Sequence, residues 1–549
     1  MKLLKIAVNS LITGLFFSSL LSLLISDINI NLVFNLRFFG KLTLFLFITY
    51  GLLISLFAFL LFFTTQFFLG KKFKIAIFSP SFLCLSFSFA TALFLLIFRG
   101  NIKHFSTLFD DHVQKIFNLQ SLLFLLAFFL GLLSFYSYYR YRKKIIFFLI
   151  YFLLIGGGLS LLFLQRFNSS VPSLPKKTAF IEAKNVNRKI TIIGLEGLTF
   201  DFLIPLTNAA KLPNFAWFMD NGSWGKLESF TPNEPLVLLT SFNTGKYPAK
   251  HHRVSLYKYH LLGVSKAIEI TPRFIFFRQW SKTGLIKITP QNPPLTTVDF
   301  WKILKDNNIS FLKKDWPYEP TLANPTPKAE KMFNLFFQEL KFAPPHLVTI
   351  VKQAFYHDFT YEDEIHQERN KSHPQIIYFF LNGLNMVESF FYKYNFPDLF
   401  GNIAQEDINK YSPIIEKYYQ YYDQIIGKYL ASLKEDEILI IYSPHGIEAL
   451  PLWKRFVEWL LGKSQVSAYH EQAPEGVIFF YGREINRGKN IEGMKLVDAT
   501  PTLLNYLGLP VGKDMDGIVN NSIFVDEFKR ENPVLYISSY QEISIKNPQ

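Results

Sequence analysis

A histidine follows an apolar segment in the carboxyl-terminal half of the chain, at a place where chemistry is expected. Residues 438–442 are apolar and predict a buried strand, and His445 and Gly446 follow in a turn. In open α/β sheets, ligands bind outside the carboxyl ends of the strands. A histidine at such a position can ligate a metal ion or transfer a proton. Pro444, which precedes it, offers no side-chain donor or acceptor for either task.

Polar residues follow two other predicted strands in the same half of the chain. The β-branched segment 190–195 predicts a first strand, and Glu196 comes directly after it. Segment 375–381 predicts a second buried strand, and the helix expected after it contains Asn385 and Ser389. An acid at the end of a first strand is a suitable beginning for a functional site.

Predicted strands alternate with predicted helices from residue 190 onward. A long helix at about 414–433 precedes the strand that leads to His445, and residues 476–481 predict the last clear strand. This alternation indicates an α/β domain with a mostly parallel sheet and helices on both faces. Residues from about 250 to 374 are less regular and rich in aromatic residues and proline, so we interpret them as a cap insertion.

The amino-terminal part has the composition of a membrane domain. The chain has 549 residues, 50% of them hydrophobic and 61 of them Phe. Five segments that lack Asp, Glu, Lys, Arg and His are long enough to cross a bilayer core of roughly 30 Å. They are 6–25, 42–63, 75–98, 119–138 and 145–164. We therefore predict an all-α membrane bundle of five transmembrane helices at 1–166, a linker at 167–189 and the α/β domain at 190–540.

The basic residues next to these segments predict the orientation of the chain. They cluster near the amino terminus at Lys2 and Lys5, at 71–74, and at 140–144. The positive-inside rule places such clusters in the cytoplasm. With five crossings of the cytoplasmic membrane, the amino terminus is inside and the large carboxyl-terminal domain is extracytoplasmic. Spans without ionisable residues disfavour a pump or coupled transporter.

Net charge and cysteine content exclude two further classes. The net charge of +14 comes partly from the clusters beside the spans and otherwise from scattered lysines. A nucleic-acid surface needs clustered basic residues with stacking aromatics on one face, so nucleic acid is not an expected partner. The single cysteine, Cys84, lies in the third predicted span, so no intramolecular disulfide is possible.

Six motifs in the outer domain occur in a fixed order. They are Ile193-Gly194-Leu195-Glu196-Gly197, Thr244-Gly245-Lys246-Tyr247-Pro248, Ser443-Pro444-His445-Gly446, Val497-Asp498-Ala499-Thr500-Pro501-Thr502-Leu503-Leu504, Gly508-Leu509-Pro510 and Asp514-Met515-Asp516-Gly517. With these motifs in this order, the chain resembles the bacterial type I phosphodiesterase and nucleotide pyrophosphatase family of the alkaline phosphatase superfamily. The resemblance implies an alkaline-phosphatase-like fold over residues 190–540. It also implies phosphoester chemistry with two zinc ions held by Asp and His and a Thr or Ser nucleophile.

Several residues at the positions that match the family's zinc ligands have changed. The matching positions are Glu196, Asn385, Ser389, Pro444, His445 and His470. Asn385 keeps an oxygen but loses the charge, Ser389 is a poorer ligand than imidazole, and Pro444 replaces an acid. Zinc usually needs three protein ligands, so neither shell is sufficient and zinc is a doubtful cofactor. One hybrid zinc site made of Glu196, Glu234, His445 and His470 is the alternative.

The position that matches the family's nucleophile is occupied by a residue that cannot attack phosphorus. Counting back from Thr244, it falls on Pro235, with Glu234 beside it. The nearby hydroxyl residues Thr231, Thr240 and Ser241 do not match the nucleophile position. Glu234 also has a structural interpretation, because acids are favoured in the first turn of a helix.

Two interpretations of function follow from these residues. The first is a membrane-anchored pseudoenzyme that acts as an extracytoplasmic binding or assembly module. The alternative is an active metal-dependent phosphoester hydrolase or lipid head-group phosphotransferase with a rearranged site. The layout of spans and outer domain also resembles that of lipid phosphoethanolamine transferases and lipoteichoic acid synthases. The expected partners are the membrane lipid bilayer and lipid-linked or phosphorylated envelope molecules.

Overall fold

The computed structural model describes most of the chain, in two compact units. The described residues are 2–32, 35–69, 77–141, 150, 153, 156–158, 188–314, 326–338, 340, 343–401, 403–460, 465–471 and 473–541. The first unit, called the helical unit, comprises Met1–Leu174 and Pro248–Thr296. The second, called the sheet unit, comprises Pro175–Tyr247 and Thr297–Gln549.

Long helices fill the amino-terminal part of the chain, and strands alternate with helices after it. The helices are α1 Lys2–Ile28, α2 Leu36–Leu46, α3 Leu52–Leu69, α4 Pro80–His104, α5 Asp111–Tyr141, α6 Phe200–Asn208, α7 Pro213–Asn221, α8 Pro235–Thr244, α9 Pro248–His251, α10 Phe300–Asp306, α11 Pro327–Phe336, α12 Pro345–Ser372, α13 Gly383–Asn395, α14 Gln405–Tyr411, α15 Pro413–Ala431, α16 Leu452–Leu460, α17 Ala499–Tyr506 and α18 Asp526–Glu531. The strands are β1 Lys189–Leu195, β2 Ser223–Glu228, β3 Tyr257–Leu261, β4 Ile286–Pro290, β5 Phe311–Lys314, β6 Ile376–Leu381, β7 Glu437–His445, β8 Glu448–Ala449, β9 Ala468–Tyr469, β10 Glu475–Tyr481, β11 Lys489–Lys495, β12 Val511–Gly512 and β13 Tyr536–Ile537.

The helical unit contains four helices that are long and apolar enough to cross a membrane. They are Leu3–Ile28, Leu36–Thr64, Pro80–His104 and Asp111–Ser137. The second of them runs from α2 through a π-helical turn at Phe47–Gly51 into α3. These four correspond to the first four predicted spans. The fifth predicted span, 145–164, falls almost entirely outside the described residues, so it stays a prediction.

The segment Pro248–Thr296 packs on one end of these helices. Asn29, at the end of α1, accepts hydrogen bonds from the backbone N–H groups of Glu269 and Ile270, each at 2.8 Å. Near the end of α4, Asn101 accepts one from the backbone N–H of Arg273, also at 2.8 Å. Both asparagine side chains are buried. They satisfy backbone groups of a segment whose own strand pairing consists of the β3–β4 hairpin and a bridge between Tyr259 and Ile268.

The sheet unit is built on one seven-stranded sheet in the order β11-β2-β10-β7-β1-β6-β5. Strands β5, β6, β1 and β7 are parallel, and only β10 runs against its neighbours within this described sheet. The central strand β1 is buried on both faces. Ile193 and Leu195 belong to one hydrophobic core, and Ile190 and Ile192 belong to the other. The predicted α/β class, with helices flanking a mostly parallel sheet, is confirmed.

A buried carboxylate fixes the start of α13 at the end of β6. Asp358, on α12, is fully buried and accepts hydrogen bonds from the hydroxyls of Tyr418 and Tyr422, at 2.9 and 2.7 Å. It also accepts one from the backbone N–H of Gly383, the first residue of α13, at 3.0 Å. A buried carboxylate that accepts three hydrogen bonds is a stable arrangement, and each of the three donors has the carboxylate as its acceptor. Asp358 therefore positions the helix that carries Asn385 and Ser389.

We predict that Asp358→Ala destabilises the sheet unit by about 3 kcal/mol, because two buried tyrosine hydroxyls and one backbone N–H lose their acceptor. The measurement is unfolding of the purified full chain, followed by tyrosine and tryptophan fluorescence. The matched control is Asp363→Ala on the same helix, because Asp363 pairs with Lys328 at the surface. Such a pair contributes about 1 kcal/mol or less. Equal effects of the two substitutions would contradict the role assigned to Asp358.

Candidate functional site

Two adjacent parallel strands bring Glu196 and His445 together at the carboxyl edge of the sheet. Gly194 of β1 lies opposite Tyr442 of β7, so Glu196, directly after β1, is nearly level with His445, the last residue of β7. The Oε1 atom of Glu196 lies 3.1 Å from Nε2 of His445, and both side chains are buried. The other ring nitrogen of His445, Nδ1, donates to the carbonyl oxygen of Gly446 at 2.9 Å. Both nitrogens of this imidazole are therefore engaged.

His470 completes a pair of stacked imidazoles. Its ring lies against that of His445 with centroids 4.8 Å apart and an angle of 24° between the planes. Burial lowers the pKa of His470 to about 4, and the neighbouring His445 acts in the same direction. The side-chain amide of Asn233 donates to the carbonyl oxygen of His470 at 2.9 Å. This bond ties the loop before α8 to the histidine pair.

A second buried acid, Glu388 of α13, lies beside the first strand end. Gly197 approaches it so closely that a β-carbon at this glycine would lie 2.6 Å from Glu388 Oε2. The hydroxyl of Tyr419 donates to Glu388 Oε1 at 3.3 Å and accepts from the backbone N–H of Thr199 at 3.2 Å. Burial raises the pKa of Glu388 well above its usual value, which the Tyr419 hydrogen bond opposes. Burial therefore favours the protonated, neutral form of Glu388.

Sequence reasoning named the neighbours of Glu388 on α13 but missed Glu388 itself. Ser389 turns its hydroxyl to the helix backbone, where it donates to the carbonyl oxygen of Asn385 at 2.8 Å. Asn385 has a buried side-chain oxygen without a hydrogen-bond partner among the described residues. The only available signal for Glu388 was an acid next to Val387 on an otherwise apolar helix face. Such a signal does not separate a buried acid from a surface one.

The predicted nucleophile region lies at the start of α8. Pro235 is the first residue of this helix, a position where proline is favoured, and Glu234 is its N-cap. Thr240 is buried in the helix interior and donates to the carbonyl oxygen of Leu236 at 2.6 Å, and Ser241 is fully buried. These two hydroxyls belong to the packed helix, so they are not presented at its start.

A two-zinc centre does not fit these donors. The Ser389 hydroxyl faces its own helix, and Pro444 lies within β7 without a donor. Within the part of the chain that the structure describes, no three His, Cys, Asp or Glu residues are grouped closely enough to hold a metal ion. Of the hybrid set, the structure brings Glu196, His445 and His470 together, and a zinc site made of this set with Glu234 stays a prediction.

Burial changes the protonation preference of two side chains of the site. It lowers the pKa of His470 to about 4, which favours the neutral imidazole. It raises the pKa of Glu388 well above its usual value, which favours the protonated carboxyl. Both shifts follow from the free-energy cost of placing a charge in the protein interior.

Two comparisons with known proteins bear on this site. The family model of type I phosphodiesterase / nucleotide pyrophosphatase matches residues 190–500, which is more than half of the chain. This range begins at β1 and includes Glu196, His445 and His470. Comparison with curated proteins gives no match. The family match agrees with the resemblance inferred from the six motifs.

We predict that Glu196 and His445 stabilise the protein through each other. Glu196→Gln and His445→Gln should each destabilise the sheet unit by about 3 kcal/mol, because each removes one partner of a buried hydrogen-bond contact. The double variant should lose less than the sum, with a coupling energy above about 1 kcal/mol. The measurement is a double-mutant cycle on unfolding of the full chain.

The control for this cycle is an exposed pair in the same sheet. Lys226 of β2 and Glu475 of β10 form an ion pair with side chains that are largely exposed. The equivalent cycle with glutamine should give a coupling below about 1 kcal/mol. If the two losses of stability at Glu196 and His445 are additive, their coupling energy is no larger than that of the exposed pair. That result would show that their contact contributes nothing to stability.

Proposed function

The chain belongs to the type I phosphodiesterase / nucleotide pyrophosphatase family, and we propose that it is a catalytically impaired member. In this proposal it serves as a membrane-anchored binding or assembly module outside the cytoplasmic membrane. The family domain and the amino-terminal apolar helices are the established parts. Loss of catalysis and the extracytoplasmic role are inferred from the residues of the site and of the helical unit.

The observation that carries the proposal is the contact between Glu196 and His445. In a metal-dependent phosphoesterase, a carboxylate and an imidazole at these strand ends direct their lone pairs at a cation. Here the carboxyl oxygen lies 3.1 Å from the imidazole nitrogen, and the other ring nitrogen is bound to Gly446. Because Nδ1 donates to Gly446, Nε2 is the nitrogen of His445 that could ligate a metal, and it faces the Glu196 carboxyl instead. This contact supports a site whose former ligands pair with each other.

The residue at the start of α8 supports the same conclusion. Acyl and phosphoryl transfer by covalent catalysis need a hydroxyl, thiol, amine or carboxylate as nucleophile. Pro235 has none of these groups, and its ring also fills the first helical position. Glu234 precedes it as the N-cap and would require a different intermediate. The family's helix start persists here without the group that attacks phosphorus.

The docked segment Pro248–Thr296 supports an extracytoplasmic side for the large domain. It contacts the end of α1 at Asn29, the end of α4 at Asn101 and the turn at Ser106–Leu108. These points lie at the end of the bundle opposite to Lys2. The chain leaves α5 at the Lys2 end, so a further crossing before Pro248 is part of this proposal. The apolar segment 145–164 is long enough for that crossing.

One observation favours the alternative of an active, rearranged site. Glu196 Oε2, Asn385 Oδ1 and Glu388 Oε2 are buried oxygens without hydrogen-bond partners among the described residues. Oxygens of this kind attract a hard cation or a donor group of a ligand. A divalent cation held by them would restore charge for phosphoester hydrolysis or lipid head-group transfer. The absence of a nucleophile at Pro235 counts against this alternative.

We predict that the purified full chain contains less than about 0.1 zinc per protein and hydrolyses no bis(p-nitrophenyl) phosphate, because neither ligand shell is complete. Adding zinc or EDTA should leave its unfolding temperature unchanged, since a metal that binds only the folded state would raise it. Metal content is measured by mass spectrometry, and hydrolysis is followed by absorbance.

Pro235→Thr is the matched variant for this experiment, because it returns a hydroxyl to the nucleophile position. It should remain inactive, since the metal shells are unchanged. Stoichiometric zinc, together with turnover that His445→Ala abolishes, would overturn the proposal in favour of the active alternative. Activity that appears only in Pro235→Thr would show that the metal site is intact and that the nucleophile alone is missing.

We also predict that the sheet unit is reached from outside the membrane. In a Cys84→Ala background, Lys226→Cys should react with a membrane-impermeant maleimide in intact spheroplasts, because Lys226 is exposed on the sheet unit. The control is Leu3→Cys at the exposed amino terminus, which should react only after permeabilisation. Labelling in the reverse pattern would place the large domain in the cytoplasm.

A further inference from the structure

A nine-residue helix in the sheet unit turns an apolar face to solvent. Helix α16, Leu452–Leu460, has no buried residue. Its exposed apolar side chains are Leu452 (78%), Trp453 (47%), Phe456 (62%), Trp459 (62%) and Leu460 (68%). Their spacing places them on one side of the helix, which we call the α16 face.

The opposite side of α16 is fastened to the sheet unit. Lys454 forms an ion pair with Glu471, and its ammonium group lies 4.1 Å from the centroid of the Tyr469 ring. Arg455 donates to the carbonyl oxygens of Leu450 and Leu399, at 2.5 and 2.7 Å. Its guanidinium also stacks 4.0 Å above the Phe400 ring. These contacts hold the helix in one orientation, with the α16 face directed outward.

Along the sequence, helix α16 lies between the two histidines of the candidate site. It is flanked by β8 and β9, which pair with each other at Glu448 and Tyr469. His445 comes three residues before β8, and His470 comes directly after β9. The Lys454 partner, Glu471, is the residue after His470. The α16 face is therefore part of the same chain segment that forms the histidine stack.

The composition of the α16 face indicates a lipid surface as the partner. Soluble proteins rarely expose a contiguous patch of this kind without a partner. Helices that lie in a membrane interface combine Trp, Phe and Leu on one side with Lys or Arg on the other. Tryptophan is enriched at the level of the head groups, and here it supplies two of five side chains. The four apolar helices of the helical unit are long enough to anchor the chain in a bilayer, so a bilayer is within reach of the domain.

We propose that the α16 face lies in the head-group region of the bilayer that anchors the chain. The helix then holds the segments that carry His445 and His470 at the level of the lipid head groups. At this level, the molecules close to the site are membrane lipids and lipid-linked molecules, and we assign the ligand to this class. The α16 face meets the bilayer in this way whether or not the site is catalytic.

The test places an environment-sensitive fluorophore on the α16 face. The full chain with Cys84→Ala and Phe456→Cys is labelled with a nitrobenzoxadiazole maleimide and reconstituted into phosphatidylcholine–phosphatidylglycerol liposomes. The matched control is Leu335→Cys on α11, because Leu335 is as exposed as Phe456, at 62%. Quenching is measured with doxyl-labelled lipids and, separately, with iodide in the buffer.

Doxyl lipids should quench the label at Phe456→Cys by about twofold more than at Leu335→Cys, because only the first lies among the lipids. Iodide should quench the Leu335→Cys label more strongly. Equal doxyl quenching at the two positions would overturn the proposal. Protection of Phe456→Cys from both quenchers, with cross-linked dimers, would assign the face to a second copy of the chain instead. Trp459→Cys serves as the replacement if Phe456→Cys does not fold.

Discussion

The contact between the Glu196 carboxyl and the His445 imidazole determines what this site can do. In the interior of a protein, a carboxylate needs either a cation or a proton to balance it. Here the register of β1 and β7 brings the imidazole within 3.1 Å of the carboxyl, so the two groups are each other's partner. Burial also favours the neutral forms of His470 and Glu388 beside them. A scaffold of a metal-dependent family can therefore remain folded with its metal positions altered.

The motifs that identify the family persist because they hold each other in place. Lys246 pairs with Asp514 at 2.5 Å, and the backbone N–H of Tyr247 donates to Asp516 at 2.8 Å. The backbone N–H of Asp516 in turn donates to the carbonyl oxygen of Gly245 at 2.8 Å. Gly245 ends α8 with a φ of 66°, a conformation that favours glycine. These contacts join the end of α8 to the turn at 514–517 and stabilise the fold.

The sequence predicted the sheet more fully than the site. The β-branched segment of β1 and the continuous apolar segments of β6, β7 and β10 are local patterns, so the α/β class follows from the chain itself. Glu196, His445 and His470 were found because each follows a predicted element or a family motif. Glu388 was missed because its burial depends on packing between α13 and Tyr419 of α15, which no local pattern encodes.

No local sequence pattern predicts that Pro248–Thr296 groups with the apolar amino-terminal helices. Sequence reasoning placed these residues in a cap insertion at about 250–374, and within that range β5 joins the main sheet beside β6. Single buried asparagines, Asn29 and Asn101, bind the segment through its backbone, and no local sequence pattern marks either of them as a binding residue. Contacts between chain regions that are far apart in sequence can be read only from the folded structure.

The most direct test of the central claim is an experimental structure of the full chain purified in excess zinc. The account predicts that Glu196 Oε1 and His445 Nε2 stay in hydrogen-bond contact, with no metal density between them. A metal ion bound to both groups, with each ligand atom about 2.0 to 2.2 Å from it, would contradict the account.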